Sequence, residues 1–187
     1  AALAWLAPLA GTAWKCTAEA SHAPQSFQPK PGRLPIVVPT WNFGLRANEE
    51  AWKILNNKGT ALDAVEQGVR LAESDPTVST VGYGGRPDRE GRVTLDACIM
   101  AEDGRCGSVC FMEDIKNPIS VARKVMEETP HVMLAGEGAK AFALSQGFEA
   151  EDLLTDESRK AWENWLKESK YQPVINIENH DTIGMLA

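Results

Sequence analysis

The chain has 187 residues, 43% of them hydrophobic and 24% charged, which is a globular composition sized for one domain or part of a larger one. Against 26 Asp+Glu it carries 19 Lys+Arg, a net charge of −7 that argues against the clustered positive surface a nucleic acid requires. No polybasic run is present to hold an anionic membrane, so neither nucleic acid nor membrane is expected as a partner.

Residues 1–14, AALAWLAPLAGTAW, are uncharged and too few to span a bilayer. They read as the apolar core of a secretory signal: residues 1–20 are expected to be a signal-peptide remnant, with small-residue cleavage sites after Ala13 or Ala20. Such a leader implies a secreted, periplasmic or lysosomal protein. Residues 21–33 are expected to be a linker, because Pro24, Pro29 and Pro31 remove backbone donors and little apolar surface is available to bury. The folded body, residues 34–187, opens on LPIVVPTW, a run suited to a strand buried on both faces. Asn48 then caps a helix in which Glu49 and Lys53 stand at i,i+4 and which Gly59 ends. Thr60 caps the next helix, whose apolar stripe is Leu62, Val65, Val69 and Ala72 and which Asp75-Pro76 stops.

Gly82-Tyr83-Gly84-Gly85 lies in a charged, Gly-rich loop. It lacks the Lys-Ser/Thr of a phosphate loop and precedes a strand rather than a helix, so it reads as a turn needing positive φ. A strand over 93–100 and a hairpin partner over 107–112 follow. Asn117-Pro118 starts a helix with Val121, Ala122, Val125 and Met126 facing inward and Pro130 at its end. Helices near 139–146 and 156–167 lead to a last apolar strand. The order suggests a mixed α/β layered domain rather than alternating βαβ units. Because the chain stops inside that last strand, the domain is expected to be partial.

Cys98, Cys106 and Cys110 are close in sequence, but no CxxC pair or nearby His completes a zinc site. Small buried hydrophobes, or one disulfide if the protein is exported, are their expected roles. Asp63 and Asp96 resemble a carboxylate pair only superficially. Asp63 sits in the first turn of its helix, where negative charge is favoured, and Asp96 is expected to make a structural hydrogen bond.

The chemistry concentrates at His180-Asp181-Thr182-Ile183-Gly184. A Thr hydroxyl is a weak nucleophile unless a base lies beside it, and an N-terminal Thr supplies its own α-amine. That amine has an ordinary pKa of about 7.7–8.0, near enough to neutrality to take the proton. An internal Thr has only an amide there, so the chain would have to be cut between Asp181 and Thr182. The Thr182 hydroxyl can attack the Asp181 carbonyl while Asp181 and His180 shuttle protons. On these residues alone, a polar turn before a strand remains the plainer reading.

The tract ENHDTIGM resembles the processing and nucleophile site of the glycosylasparaginases. So do TWNFG at 40–44, GTALDAVEQGVR at 59–70, VGYGGRPDREGRVTLDACIM at 81–100 and IKNPISVARKVMEETPHVML at 115–134, in the same order. The resemblance implies a four-layer αββα sandwich and autoproteolysis between Asp181 and Thr182. It also implies hydrolysis of N4-(β-N-acetylglucosaminyl)-L-asparagine without metal or organic cofactor. Residues 34–181 would then be an α-subunit region and 182–187 the start of a β subunit from the same precursor, in a homodimer of αβ units. The resemblance also places Trp41 in the substrate site; physically, an indole offers a rigid wall and one donor. Phe43 is either a second wall or core. The family's substrate-carboxylate Arg, its partner Asp and its oxyanion donors follow the nucleophile strand and match no residue here, so this polypeptide alone is expected to be inactive. Two alternatives are a plant-type asparaginase or β-aspartyl peptidase, which do not usually carry His-Asp before the Thr, and an inactive truncated paralogue.

Overall fold

A computed structural model describes residues 34–168 and 182–187. The expected signal remnant and linker lie outside the described residues. In chain order the elements are β1 (Val38–Pro39), α1 (Gly44–Asn56), α2 (Ala61–Glu73), β2 (Thr94–Met100), β3 (Cys106–Glu113), α3 (Pro118–Glu128), β4 (Leu134–Ala135), α4 (Gly136–Ser145), α5 (Asp156–Glu168) and β5 (Met185–Leu186). This is the mixed α/β arrangement anticipated from the pattern.

Two sheets are present among the described residues. One has the order β2-β3-β4, with β2 and β3 antiparallel and β4 parallel to β3; the other is the antiparallel pair β1-β5. The β2-β3 hairpin presents Leu95, Ile99, Val109 and Met112 inward. Val121, Ala122 and Val125 of α3 are fully buried and pack in one cluster with Ile99, Val109 and Met112. The register shifts between Leu95 and Ala97, and there the Asp96 carboxylate accepts the Phe111 N–H at 2.7 Å. Asp96 thus repairs a ladder bond that the bulge would leave open.

Helix α2 begins as its sequence predicts. Thr60 Oγ1 accepts from Asp63 N at 3.1 Å while Asp63 Oδ2 accepts from Thr60 N at 3.3 Å, a complete capping box. Hydrogen bonds from Thr60 and Arg123 hold the Asp63 carboxyl below its ordinary value. α2 stops before Asp75-Pro76, α3 ends before Pro130 and α5 starts at Asp156, as expected, whereas the ends of α1 differ. Asn48 lies inside α1, because Trp41 (φ 63°) turns the chain directly into helical bonds from Gly44 N to the Trp41 carbonyl and from Leu45 N to that of Asn42. Lys53 pairs with Glu50 at 2.6 Å rather than with Glu49. The left-handed residue after α1 is Lys58 (φ 63°), ahead of Gly59.

Asn117 holds the cap position of α3 ahead of Pro118, as expected, but its side-chain amide makes no capping bond and donates to Ser74 Oγ at 2.9 Å. The cap comes from another helix: the Glu73 carboxylate accepts the Ile119 N–H at 3.1 Å. Beside it, Glu66 accepts from the Ser120 hydroxyl at 2.5 Å and from Arg123 Nη1 at 2.7 Å. Glu73 thus satisfies one of the free backbone N–H groups at the start of α3, while Glu66 bonds two of its side chains.

β1 is shorter and more open than a strand buried on both faces. Val38 is 55% and Ile36 50% exposed. Pro39 offers no N–H to a ladder, and β5 is the partner of β1 among the described residues.

Candidate active site

The register Val38↔Leu186 and Pro39↔Met185 sets the two segments that form the site side by side. Ile183 and Met185 pack against the main core cluster. Side chains alternate along an extended segment, so Thr182 and Gly184 face the other way. Gly68 of α2 makes room for this placement: a Cβ there would lie 2.5 Å from Met185 Sδ and 2.9 Å from the Ala47 carbonyl. The missing side chain lets α1, α2 and the Met185 thioether meet at one point.

Just before Thr40 the chain is extended, and at Trp41 it turns left-handed. That turn aims the indole back at the strand, where Trp41 Nε1 donates to the Thr182 carbonyl at 2.9 Å. Trp41 is 44% exposed and so is not a core residue. The indole N–H, expected to face a polar ligand, donates instead to the Thr182 backbone. Phe43 is half-buried at the mouth of α1. Thr182 is exposed, and its hydroxyl makes no hydrogen bond among the described residues. His180 and Asp181 lie outside the described residues.

Thr182, Thr40 and Gly184 line an open cleft of about 1580 Å³ that Thr80, Gly82 and Asp96 also line. Gly82 (φ 60°) is the turn glycine expected from the loop, and a Cβ on it would meet the Glu73 carbonyl at 2.1 Å. Tyr83 N donates to that same carbonyl at 2.7 Å, so the loop is pressed onto the end of α2. Sequence reasoning passed over Thr80. Thr80 lines the cleft, and its buried hydroxyl has no hydrogen-bond partner among the described residues. Nothing in a single Thr beside a Gly-rich loop could have signalled this. Under the loop Glu73 is wholly buried, and burial pushes its carboxyl up to about 8 despite the Ile119 and Asn117 hydrogen bonds.

The cysteines depart from expectation. Cys98 and Cys106 are exposed rather than buried, because both stand on the outward face of the hairpin. Cys110 is half-buried, and a hydrogen bond with Asp96 pushes its thiol pKa up. All three are free thiols.

Residues 41–187 match the asparaginase family. The chain is 67% identical over 169 residues to the N(4)-(β-N-acetylglucosaminyl)-L-asparaginase of Elizabethkingia miricola, covering 90% of this chain and 50% of that protein. It is 41% identical over 186 residues to the protein of that name from Rattus norvegicus, covering 82% of this chain and 53% of that protein. The chain therefore spans about half the length of these curated relatives.

Proposed function

The chain belongs to the asparaginase family, and from that premise we propose that it is part of an N-terminal-nucleophile amidohydrolase that cleaves N4-(β-N-acetylglucosaminyl)-L-asparagine. Thr182 is the nucleophile. The observation that carries this reading is the Trp41 indole bond to the Thr182 carbonyl at 2.9 Å, at the edge of an open cleft. It orients the backbone of one exposed Thr while leaving its hydroxyl for chemistry.

Activation begins with attack of the Thr182 hydroxyl on the Asp181 carbonyl carbon. The C–N bond breaks, the amine takes up a proton, and an ester links Asp181 to Thr182 Oγ. Water opens the ester, leaving a carboxylate on Asp181 and a free α-amine on Thr182, with the side chains of Asp181 and His180 shuttling protons. In turnover the α-amine accepts the hydroxyl proton as Oγ attacks the substrate's side-chain amide carbon. That proton leaves with the glycosylamine, and water hydrolyses the β-aspartyl ester to release L-aspartate. Trp41 walls the substrate site. The complete protein would be a four-layer αββα sandwich, working as a homodimer of αβ units in a secreted, periplasmic or lysosomal setting. The uncharged leader at residues 1–14 supports the placement outside the cytosol.

N-terminal sequencing of the full-length protein tests this directly. Its smaller product should begin Thr-Ile-Gly-Met, Thr182→Ala should leave the precursor intact, and Thr182→Ser should still cut, more slowly. Uncut but active enzyme would sink the mechanism. Aspartate release from glycosylated asparagine should exceed that from free asparagine or β-aspartyl peptides, and the reverse order would move the protein to the broader asparaginases.

A further inference from the structure

We propose that Thr40 is a positioning residue for the nucleophile, its hydroxyl locking the Thr182 strand in register; this rests on the reading of Thr182 given above. Gly184 stands two positions beyond Thr182, and Thr40 engages both of its backbone groups. Thr40 N donates to the Gly184 carbonyl at 2.9 Å, and Gly184 N donates to Thr40 Oγ1 at 2.9 Å. The same hydroxyl lies 3.4 Å from the Gly184 carbonyl, so its own proton has an acceptor.

The side chain is used because the main chain cannot do this work. A regular antiparallel pair exchanges two backbone bonds between opposed residues. Here the chain swings to positive φ at Trp41, immediately after Thr40, and the ladder of β1 cannot run on. A hydroxyl on Thr40 replaces the missing carbonyl as acceptor for Gly184. One residue later the indole takes the Thr182 carbonyl at 2.9 Å. Thr182-Ile183-Gly184 is thus held at both ends by consecutive residues, Thr40 and Trp41. Ile183 between them is pinned against the core. Displacing a reacting group by about 1 Å costs rate steeply, since attack requires a near-contact geometry. Thr40's hydrogen bonds run to Gly184, so it acts on Thr182 through that residue.

The test uses Thr40→Val, which keeps the shape and removes the hydroxyl, and Thr40→Ser, which keeps the hydroxyl, in the full-length protein. Valine should slow cleavage at Asp181–Thr182 and lower kcat roughly tenfold, with KM within about twofold and Tm within a few degrees. Serine should restore both rates. Amide hydrogen exchange at Gly184 should quicken in the valine variant and return in the serine variant, a readout that does not depend on activity. Unchanged cleavage and exchange in the valine variant would overturn the proposal while leaving the Thr182 mechanism intact. A slow variant that serine fails to rescue, with Tm falling in step, would reduce Thr40 to a packing residue and overturn it too. A wild-type protein that works without cutting would instead sink the functional reading, and Thr40's role with it.

Discussion

Trp41 combines an unfavourable backbone with a bond to the Thr182 carbonyl. A bulky residue at φ 63° costs of order 1–3 kcal/mol, and such strain persists only where the surroundings hold it. Here the holding group is the Thr182 carbonyl, bonded to an indole from which 141 residues separate it in the chain. Trp41→Phe keeps a flat ring and removes the donor. We expect kcat/KM of the full-length protein to fall about tenfold or more while Tm moves by only a few degrees. Trp41→Ala should lower kcat/KM further by also removing the wall. A large Tm loss with normal kinetics in the folded fraction would return this residue to the core. None of this geometry is written in TWNFG itself, because a left-handed Trp is rare enough that local preference argues against it.

At the scale of elements, α2 does more than contribute an apolar stripe. Its Glu73 caps α3 from the side, and its carboxyl is raised from an ordinary 4.5 to about 8 by burial. A carboxyl whose folded pKa is raised binds its proton more tightly in the folded state. Its contribution to stability is therefore complete below pH 4.5 and is lost as pH climbs toward 8. The slope for one such group is at most about 1.4 kcal/mol per pH unit. Urea midpoints measured at pH 5.5 and 7.5 should fall with pH in the wild type and differ much less in Glu73→Gln. An unchanged slope in the glutamine variant would assign the proton elsewhere. The other feature of α2 is Gly68. Alanine there should gain up to about 1 kcal/mol of helix propensity, yet its Cβ meets the Ala47 carbonyl at 2.9 Å, an atom that cannot rotate away. We expect a net loss of about 1–3 kcal/mol and slower processing, as Met185 and the Thr182 strand shift. Equal or higher stability would show that α1 and α2 can part without cost.

Among the described residues, exposed apolar side chains lie on both sheets, Met100 and Phe111 on β2 and β3 as well as Val38 and Leu186 on β1 and β5. The sheet of β2, β3 and β4 is backed by α3 and α4, whereas the β1-β5 pair leaves Ile36, Val38 and Leu186 in solvent. Leu186 is 73% exposed. An exposed apolar strip next to open strand edges attracts either a partner surface or a hydrophobic probe. The 187-residue polypeptide should therefore bind a hydrophobic dye, and Val38→Ser with Leu186→Ser should reduce the signal without lowering helix content. Dye binding unaffected by both substitutions would place the exposed surface elsewhere.

What could be read from the chain alone was local. The Thr60 cap and the inward face of α3 depend on spacings of three and four residues, and the structure reproduces both. The hairpin was legible because alternation and the turn residues agree. The family tracts identified Thr182 as the residue to examine. Local spacing failed wherever a polar group chose a distant partner. Asn48 and Asn117 look like caps, but one sits inside a helix and the other reaches Ser74. β4, two residues where no strand was expected, pairs with β3 because β3 lies beside it. Tertiary structure alone decided that the Trp41 indole meets Thr182, that Thr40 meets Gly184, and that Thr80 faces the same cleft. The physical reason is that periodicity reports which face of an element is apolar, whereas a hydrogen bond across more than a hundred residues depends on how elements stack. Stacking depends in turn on space such as that left at Gly68, which becomes visible only when Met185 fills it.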